Sequence, residues 1–246
     1  MGVVYGVSPT WLYNTRAGGL HQLVTDGLVL ALDAANTVSY PGSGTTWTDL
    51  SGNGNNGTLV NGVGYSGNNF GSLSFDGVDD YLTTANSTSD FSFGTGDFTI
   101  EFWINSTQTT RADPVGWNYD FGSAGWGGFV FNLSSSGDMA WYENNNSRIS
   151  ASSTGWNNGS WNQVSLTRSG NSVRMFLNGS QVGSTYTTSF TYGSANSGFI
   201  IGTLQAIPSI AYFNGYISNV KLYKGKGLTT AELSQNFNAT RSRYGI

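Results

Sequence analysis

The chain has 246 residues, of which 38% are hydrophobic and 14% aromatic, enough bulk to fill the space between two packed sheets, so a disordered chain is excluded. Only 10% are charged and the net charge is −4, which leaves no basic face for nucleic acid. Cysteine is absent, which removes thiol catalysis, zinc–thiolate sites and iron–sulfur clusters.

Residues 1–26 differ in character from the rest of the chain. They carry Trp11, Tyr13, Arg16 and the single histidine, His21, without periodicity. They read as an N-terminal arm that packs on the domain or docks on a neighbour; a frayed leader is the alternative, since chain ends order poorly unless tied down. The opening Met1-Gly2-Val3-Val4-Tyr5-Gly6 lacks the basic start and apolar run of a secretory signal. No stretch approaches the ~18 apolar residues of a membrane span. A protein of this kind would leave a cell by another route, and release of a virus particle by lysis is one.

From Gly27 onward, short apolar stretches alternate with Gly/Asn/Ser turns, the pattern of an all-β sandwich forming one domain over residues 27–246. Leu28, Leu30 and Leu32 alternate with Val29 and Ala31, which predicts a first strand buried on both faces. The segment from Ser51 to Gly57 is turn-forming, because Asn and Gly accept positive φ. Phe98 to Asn105 is the clearest strand, with Phe98, Ile100, Phe102 and Ile104 on one face and Thr99, Glu101, Trp103 and Asn105 on the other. Further strands are predicted at Phe129–Leu133, Met139–Glu143, Trp161–Arg168, Val173–Leu177 and Phe199–Ile201. Asn178-Gly179 marks a hairpin between Val173–Leu177 and Gln181–Thr185. One short helix is predicted near the C-terminus: Thr229 and Glu232 have capping-box spacing, Leu228 and Leu233 fit a hydrophobic staple, and Phe237 comes one turn later. It is expected to close the sandwich edge.

Several segments together resemble a known family. Phe75-Asp76-Gly77-Val78-Asp79-Asp80-Tyr81 and then Phe98-Thr99-Ile100-Glu101-Phe102-Trp103 resemble the laminin-G-like branch of the concanavalin A-like lectin/glucanase superfamily. Trp161-Asn162-Gln163-Val164, Phe176-Leu177-Asn178-Gly179, and the run from Phe213 to Tyr223 with Leu228–Leu233 after it fit the same pattern in the same order. The resemblance implies two antiparallel sheets with jelly-roll connections. Gly27–Asn36 and Trp47–Gly57 are further similar to laminin-G-like domains of tailed, particularly marine, bacteriophage structural proteins. That similarity implies a virion setting, with other virion proteins as partners, a virion-surface location and trimeric assembly.

Glucanase relatives hydrolyse glycans with paired carboxylates, and retaining chemistry needs them about 5–5.5 Å apart. Here the glutamates are Glu101, Glu143 and Glu232. Glu101 has Thr99 and Trp103 at the same-face positions, and Glu143 has Trp141 and Asn145, so neither gains a carboxylate partner along its strand; Glu232 is explained by the helix cap. A Ser-His-Asp triad would have to use His21, which no motif surrounds. No catalytic residue is therefore assigned.

Relatives carry calcium on a loop rim, and Asp76, Asp79 and Asp80 supply hard oxygen donors on one turn. The same residues also read as an ordinary turn, with Asp76-Gly77 at its centre. For glycan contact, flat aromatic rings beside amides and acids are richest in residues 111–162: Trp117, Tyr119, Asp120, Trp126, Asn144, Asn145 and Trp156 form the candidate set. Trp141 and Trp161, on strands, are expected in the core. For Trp117, Tyr119 and Trp126, anchoring of loops by burial is the competing reading. Lys221, Lys224, Lys226, Arg241 and Arg243 gather after position 220, either as a solvated face or as a contact for an acidic neighbour.

The expectation is a non-enzymatic virion display protein with a lectin-like domain that engages host-surface glycans. A purely structural cement or decoration protein and a glycan hydrolase of the glucanase branch are the alternatives.

Overall fold

Strands dominate because apolar side chains recur at every second position between turns built from Gly and Asn. In the computed structural model, residues 12–14, 20–84, 89–117, 127–144, 146–192, 198–204 and 211–246 are described. In chain order the strands are β1 (Leu12–Asn14), β2 (Leu20–Gln22), β3 (Leu28–Asp33), β4 (Thr46–Trp47), β5 (Gly57–Val60) and β6 (Gly64–Ser66). Next come β7 (Ser72–Asp76), β8 (Tyr81–Thr84), β9 (Phe98–Asn105), β10 (Val115–Trp117), β11 (Phe129–Leu133) and β12 (Met139–Glu143). The last are β13 (Asn146–Ala151), β14 (Trp161–Ser169), β15 (Ser172–Leu177), β16 (Ser180–Thr187), β17 (Phe199–Ile201) and β18 (Asn214–Lys224), before the helix α1 (Thr230–Thr240).

Among the described residues these strands make two antiparallel eight-stranded sheets and a separate β1–β2 hairpin. The first sheet runs β13-β12-β11-β10-β17-β8-β5-β4. The second runs β16-β15-β14-β9-β18-β7-β6, and β3 joins it by pairing with β18. The eleven-residue β18 lies along β9 on one side, while its other side pairs first with β7 and then with β3. Phe98, Ile100, Phe102 and Ile104 of β9 face Phe129, Phe131, Trp141, Phe199 and their neighbours in one continuous core. At about 1.5–3 kcal/mol for each fully buried large apolar side chain, this layer is the main stabilising element.

The helix begins as its sequence dictates. Thr229 accepts the Glu232 backbone N–H and the Glu232 carboxylate accepts the Thr229 N–H, a complete capping box. Leu228 and Leu233 pack together with Phe176 and Tyr223. Its position differs from expectation. Phe176, Tyr223, Glu101 and Trp103 belong to the outward face of the second sheet, so α1 lies across that face rather than at the sandwich edge. Polar Thr99 and Glu101 are consequently as inaccessible as the core side chains that alternate with them. The sequence pattern on β9 resembles a one-sided strand, but both of its sides are covered.

The β1–β2 hairpin lies against α1, and the strap after it is fastened to the helix: the Val24 N–H donates to Asn236 Oδ1 (2.9 Å), and the Gln235 side-chain amide donates to the Gln22 carbonyl (2.7 Å). Trp11 and Arg16 lie outside the described residues.

Candidate functional site

The sequence nominates an acidic turn and an aromatic platform. The turn joins β7 to β8 and brings Asp76, Asp79 and Asp80 together, with one carboxylate oxygen from each within 4.8 Å of the others. Asp76 Oδ1 accepts the Val78 N–H (2.8 Å) and the Asp79 N–H (3.3 Å), and Asp80 Oδ2 accepts the Asp76 N–H (3.0 Å). Gly77 is required there: its φ is +78°, and a Cβ would lie 2.8 Å from the Asn214 Cβ. Burial pushes the Asp80 carboxyl above its ordinary range, and the neighbouring Asp76 and Asp79 charges add to that. The donors have the chemistry of a hard-cation site. Calcium takes six to eight oxygens, however, and two of the turn's carboxylate oxygens already hold its backbone, so these three side chains do not complete a coordination sphere.

The aromatic platform divides. Trp117 and Trp156 are fully buried, which corrects their assignment as glycan contacts. Trp117 packs edge-on to Phe93 at 5.0 Å between ring centroids, and its indole N–H, like that of Trp156, is buried without a hydrogen-bond partner. Their Gly- and Asn-rich flanks gave the appearance of exposed loops, but the rings fill the sandwich interior, where apolar burial outweighs an unmatched N–H. Trp141 and Trp161 are buried as expected. Asn144 takes a left-handed φ of 47° in the β12–β13 turn, and its carbonyl accepts the Asn146 side-chain amide (2.7 Å). Tyr119, Asp120, Trp126 and Asn145 lie outside the described residues.

All three glutamates are committed. Glu101, fully buried beneath α1, sits opposite Lys221 in the β9–β18 register and accepts the Asn236 amide at 2.6 Å. Burial pushes its carboxyl above the usual range, with Lys221 and the Asn236 hydrogen bond pulling the other way. Burial correspondingly pushes the Lys221 amine down, while Glu101 and Asp33 hold it up. Beside this pair, Arg243 grips Asp33 with two hydrogen bonds of 2.9 and 3.0 Å. Glu143 points inward on β12 and accepts from Tyr192 Oη (2.6 Å), Tyr186 Oη (3.3 Å) and Thr188 Oγ1 (3.3 Å), with Arg148 Nε at 3.6 Å. Glu232 caps α1 and pairs with Lys226 at 2.8 Å, and these contacts hold its carboxyl below the ordinary range.

Sequence reasoning missed this polar layer between sheet and helix. It also misread part of the C-terminal basic cluster: Lys221 is buried, Arg243 binds Asp33, Lys226 bridges Asp26 and Glu232 and Lys224 donates to the Ser89 carbonyl, whereas Arg241 stays exposed. The signal was the alternation of Asn219, Lys221 and Tyr223 on one side of β18, which pairs polar groups with Glu101 across the ladder.

Two antiparallel sheets, a core packed between them and a helix laid over one outer face define a lectin-like β-sandwich. The chain belongs to the concanavalin A-like lectin/glucanases superfamily, whose laminin-G-type family model matches residues 75–234. No curated protein matches it. Among solved structures, it is similar to the binding domain of Paraclostridial Mosquitocidal Protein 1, at 17% identity and a TM-score of 0.66, covering 87% of this chain and 52% of that one. It is also similar to a mutant Trypanosoma rangeli sialidase displaying trans-sialidase activity, at 17% identity and a TM-score of 0.68, covering 94% of this chain and 36% of that one. A third is domain 4 of an extracellular arabinanase from Geobacillus stearothermophilus in complex with arabinotriose, at 16% identity and a TM-score of 0.58, covering 87% of this chain and 98% of that one. The chain thus spans about half or less of the first two proteins, and at these identities the likeness shows the fold.

Proposed function

We propose that the chain is a non-catalytic carbohydrate-binding module, displayed on a virion, that engages host-surface glycans. The observation that carries the non-catalytic reading is the commitment of Glu101, Glu143 and Glu232 to buried or capping contacts. Glycoside hydrolysis needs two carboxyl groups flanking the scissile bond. Asp76, Asp79 and Asp80 sit side by side on one turn, which places them on the same side of any sugar. Membership of a lectin/glucanase superfamily supports the binding half, as does the likeness to an arabinanase domain held with arabinotriose. The virion setting rests on the resemblance of Gly27–Asn36 and Trp47–Gly57 to phage structural domains.

A glycan array with and without calcium, paired with a reducing-end assay on polysaccharide, tests the reading. Binding without new reducing ends is expected. Absence of binding, or reducing ends lost in Glu101→Gln or Glu143→Gln, overturns it. Labelling of intact particles places the protein in the virion or removes it from there.

A further inference from the structure

The large hydrophobic side chains that stay exposed among the described residues are few, and Val38, Tyr65 and Phe70 come from two segments that touch. One is the β3–β4 connection, the other the run from β6 into β7. Gly71 abuts the Ala34–Ala35 backbone so closely that a Cβ there would collide with the Ala34 carbonyl. Gly42 faces the Tyr65 ring edge, where a Cβ would lie at 3.5 Å, and Tyr40 meets Tyr65 at 5.4 Å between centroids. Asn69 and Phe70 have φ of 52° and 70°, and Gly71 has φ of 133°. Asn adopts that region readily, but a bulky aromatic there is a strained outlier. The conformation leaves the Phe70 ring 71% exposed, so burial returns little for the strain.

The surroundings select the partner. From Ala34 to Phe75 there is one charged residue, Asp49. It is buried, with its oxygens holding the N–H groups of Ala31, Ser51 and Asn55. On the 3-10 turn that contacts residues 68–70, Arg243 is tied to Asp33 and the exposed Arg241 lies over the Phe237 ring, 5.8 Å from its centroid. What the two segments themselves present at the surface is aromatic rings, the exposed amides of Asn68 and Asn69, and bare backbone at Gly42 and Gly44. A pyranose or furanose offers a C–H face for a ring and hydroxyls for amides, and an uncharged sugar has no group that would need a counter-charge.

We propose that Tyr65 and Phe70 form a stacking platform for a neutral glycan chain, outside the 111–162 segment nominated by sequence. This rests on the carbohydrate-binding reading above and names its ligand class and site. The platform selects neutral sugars over sialylated or uronate-bearing ones.

The test is a glycan array holding neutral members, arabinan and dextran among them, and acidic ones, hyaluronan and sialyllactose among them. The best binder is then titrated against the full chain and its Phe70→Ala, Phe70→Gly and Tyr65→Ala variants. The expected result is neutral binders in the wild type and at least tenfold weaker binding in each variant. Phe70→Gly should keep or raise the unfolding midpoint, because glycine relieves the left-handed strain. Unchanged affinity in the variants, or binding confined to acidic glycans, overturns the platform while leaving the carbohydrate-binding function standing. A dimer that Phe70→Ala dissolves without loss of sugar binding overturns it too, by assigning the patch to a second copy. A wild type that binds no glycan removes both.

Discussion

Glu101 and Lys221 are register partners across β9 and β18, and both are buried; the Lys221 amine donates to Asn219 Oδ1 (3.2 Å), so it balances Glu101 through its charge and not through a direct ion-pair contact. Removing one partner of such a pair leaves an uncompensated charge and costs about 3–5 kcal/mol, whereas replacing both with apolar side chains of similar volume is often neutral or stabilising. Glu101→Gln keeps an oxygen for the Asn236 amide, so its penalty isolates the charge imbalance. Lys221→Met keeps most of the stem volume. Each single substitution is expected to lower the midpoint of thermal unfolding by on the order of 6–20 °C, at ~2–4 °C per kcal/mol for a chain of this size. The double substitution Glu101→Gln/Lys221→Met should cost less than the sum by at least ~2 kcal/mol in urea unfolding monitored by tryptophan fluorescence. Additivity within about 0.5 kcal/mol would refute the pairing. The pair also sets a pH dependence. The raised Glu101 carboxyl contributes stability below its ordinary range, near 4.5, and that contribution is lost as pH climbs through its folded value. Without Lys221 the folded value moves higher still, so the Lys221→Met penalty should grow as pH rises above the ordinary carboxyl range and shrink toward acid.

Trp156→Ala should destabilise by about 3–5 kcal/mol through the cavity it opens in the core, with glycan affinity unchanged in the folded fraction; a selective loss of binding would restore Trp156 to the contact surface. Thr229→Ala removes the cap of α1 and is expected to cost about 1 kcal/mol, read as a lower urea midpoint. Millimolar calcium should leave the unfolding midpoint unmoved, because Asp76 and Asp80 already spend oxygens on the turn; a rise that Asp79→Asn abolishes would show an occupied cation site.

The strands legible in the sequence were those whose apolar period was carried by large side chains. Phe98–Asn105, Phe129–Leu133, Met139–Glu143 and Phe199–Ile201 appear with the boundaries predicted from alternation. The Asn178-Gly179 turn does as well, with both residues in left-handed conformation at φ 50° and 78°. Short strands such as Thr46–Trp47 and Gly64–Ser66 lack a period long enough to register, and pairing alone defines them. The site was less legible. Local composition around Trp117 and Trp156 resembles a loop, yet burial is decided by long-range packing that flanking Gly and Asn do not encode. Phe70 was not singled out from the sequence, because its exposure goes with a left-handed backbone at residues 69–71 that lies outside any strand period. The Glu101–Lys221 register pairing joins residues 120 positions apart, beyond the reach of any local pattern.

The most direct test of a module that holds sugar without cutting it is native mass spectrometry of the full chain incubated with neutral oligosaccharides. The expected species is a complex whose added mass is that of the intact oligosaccharide, unchanged after prolonged incubation. Free protein accompanied by accumulating shorter sugars would contradict a holding role.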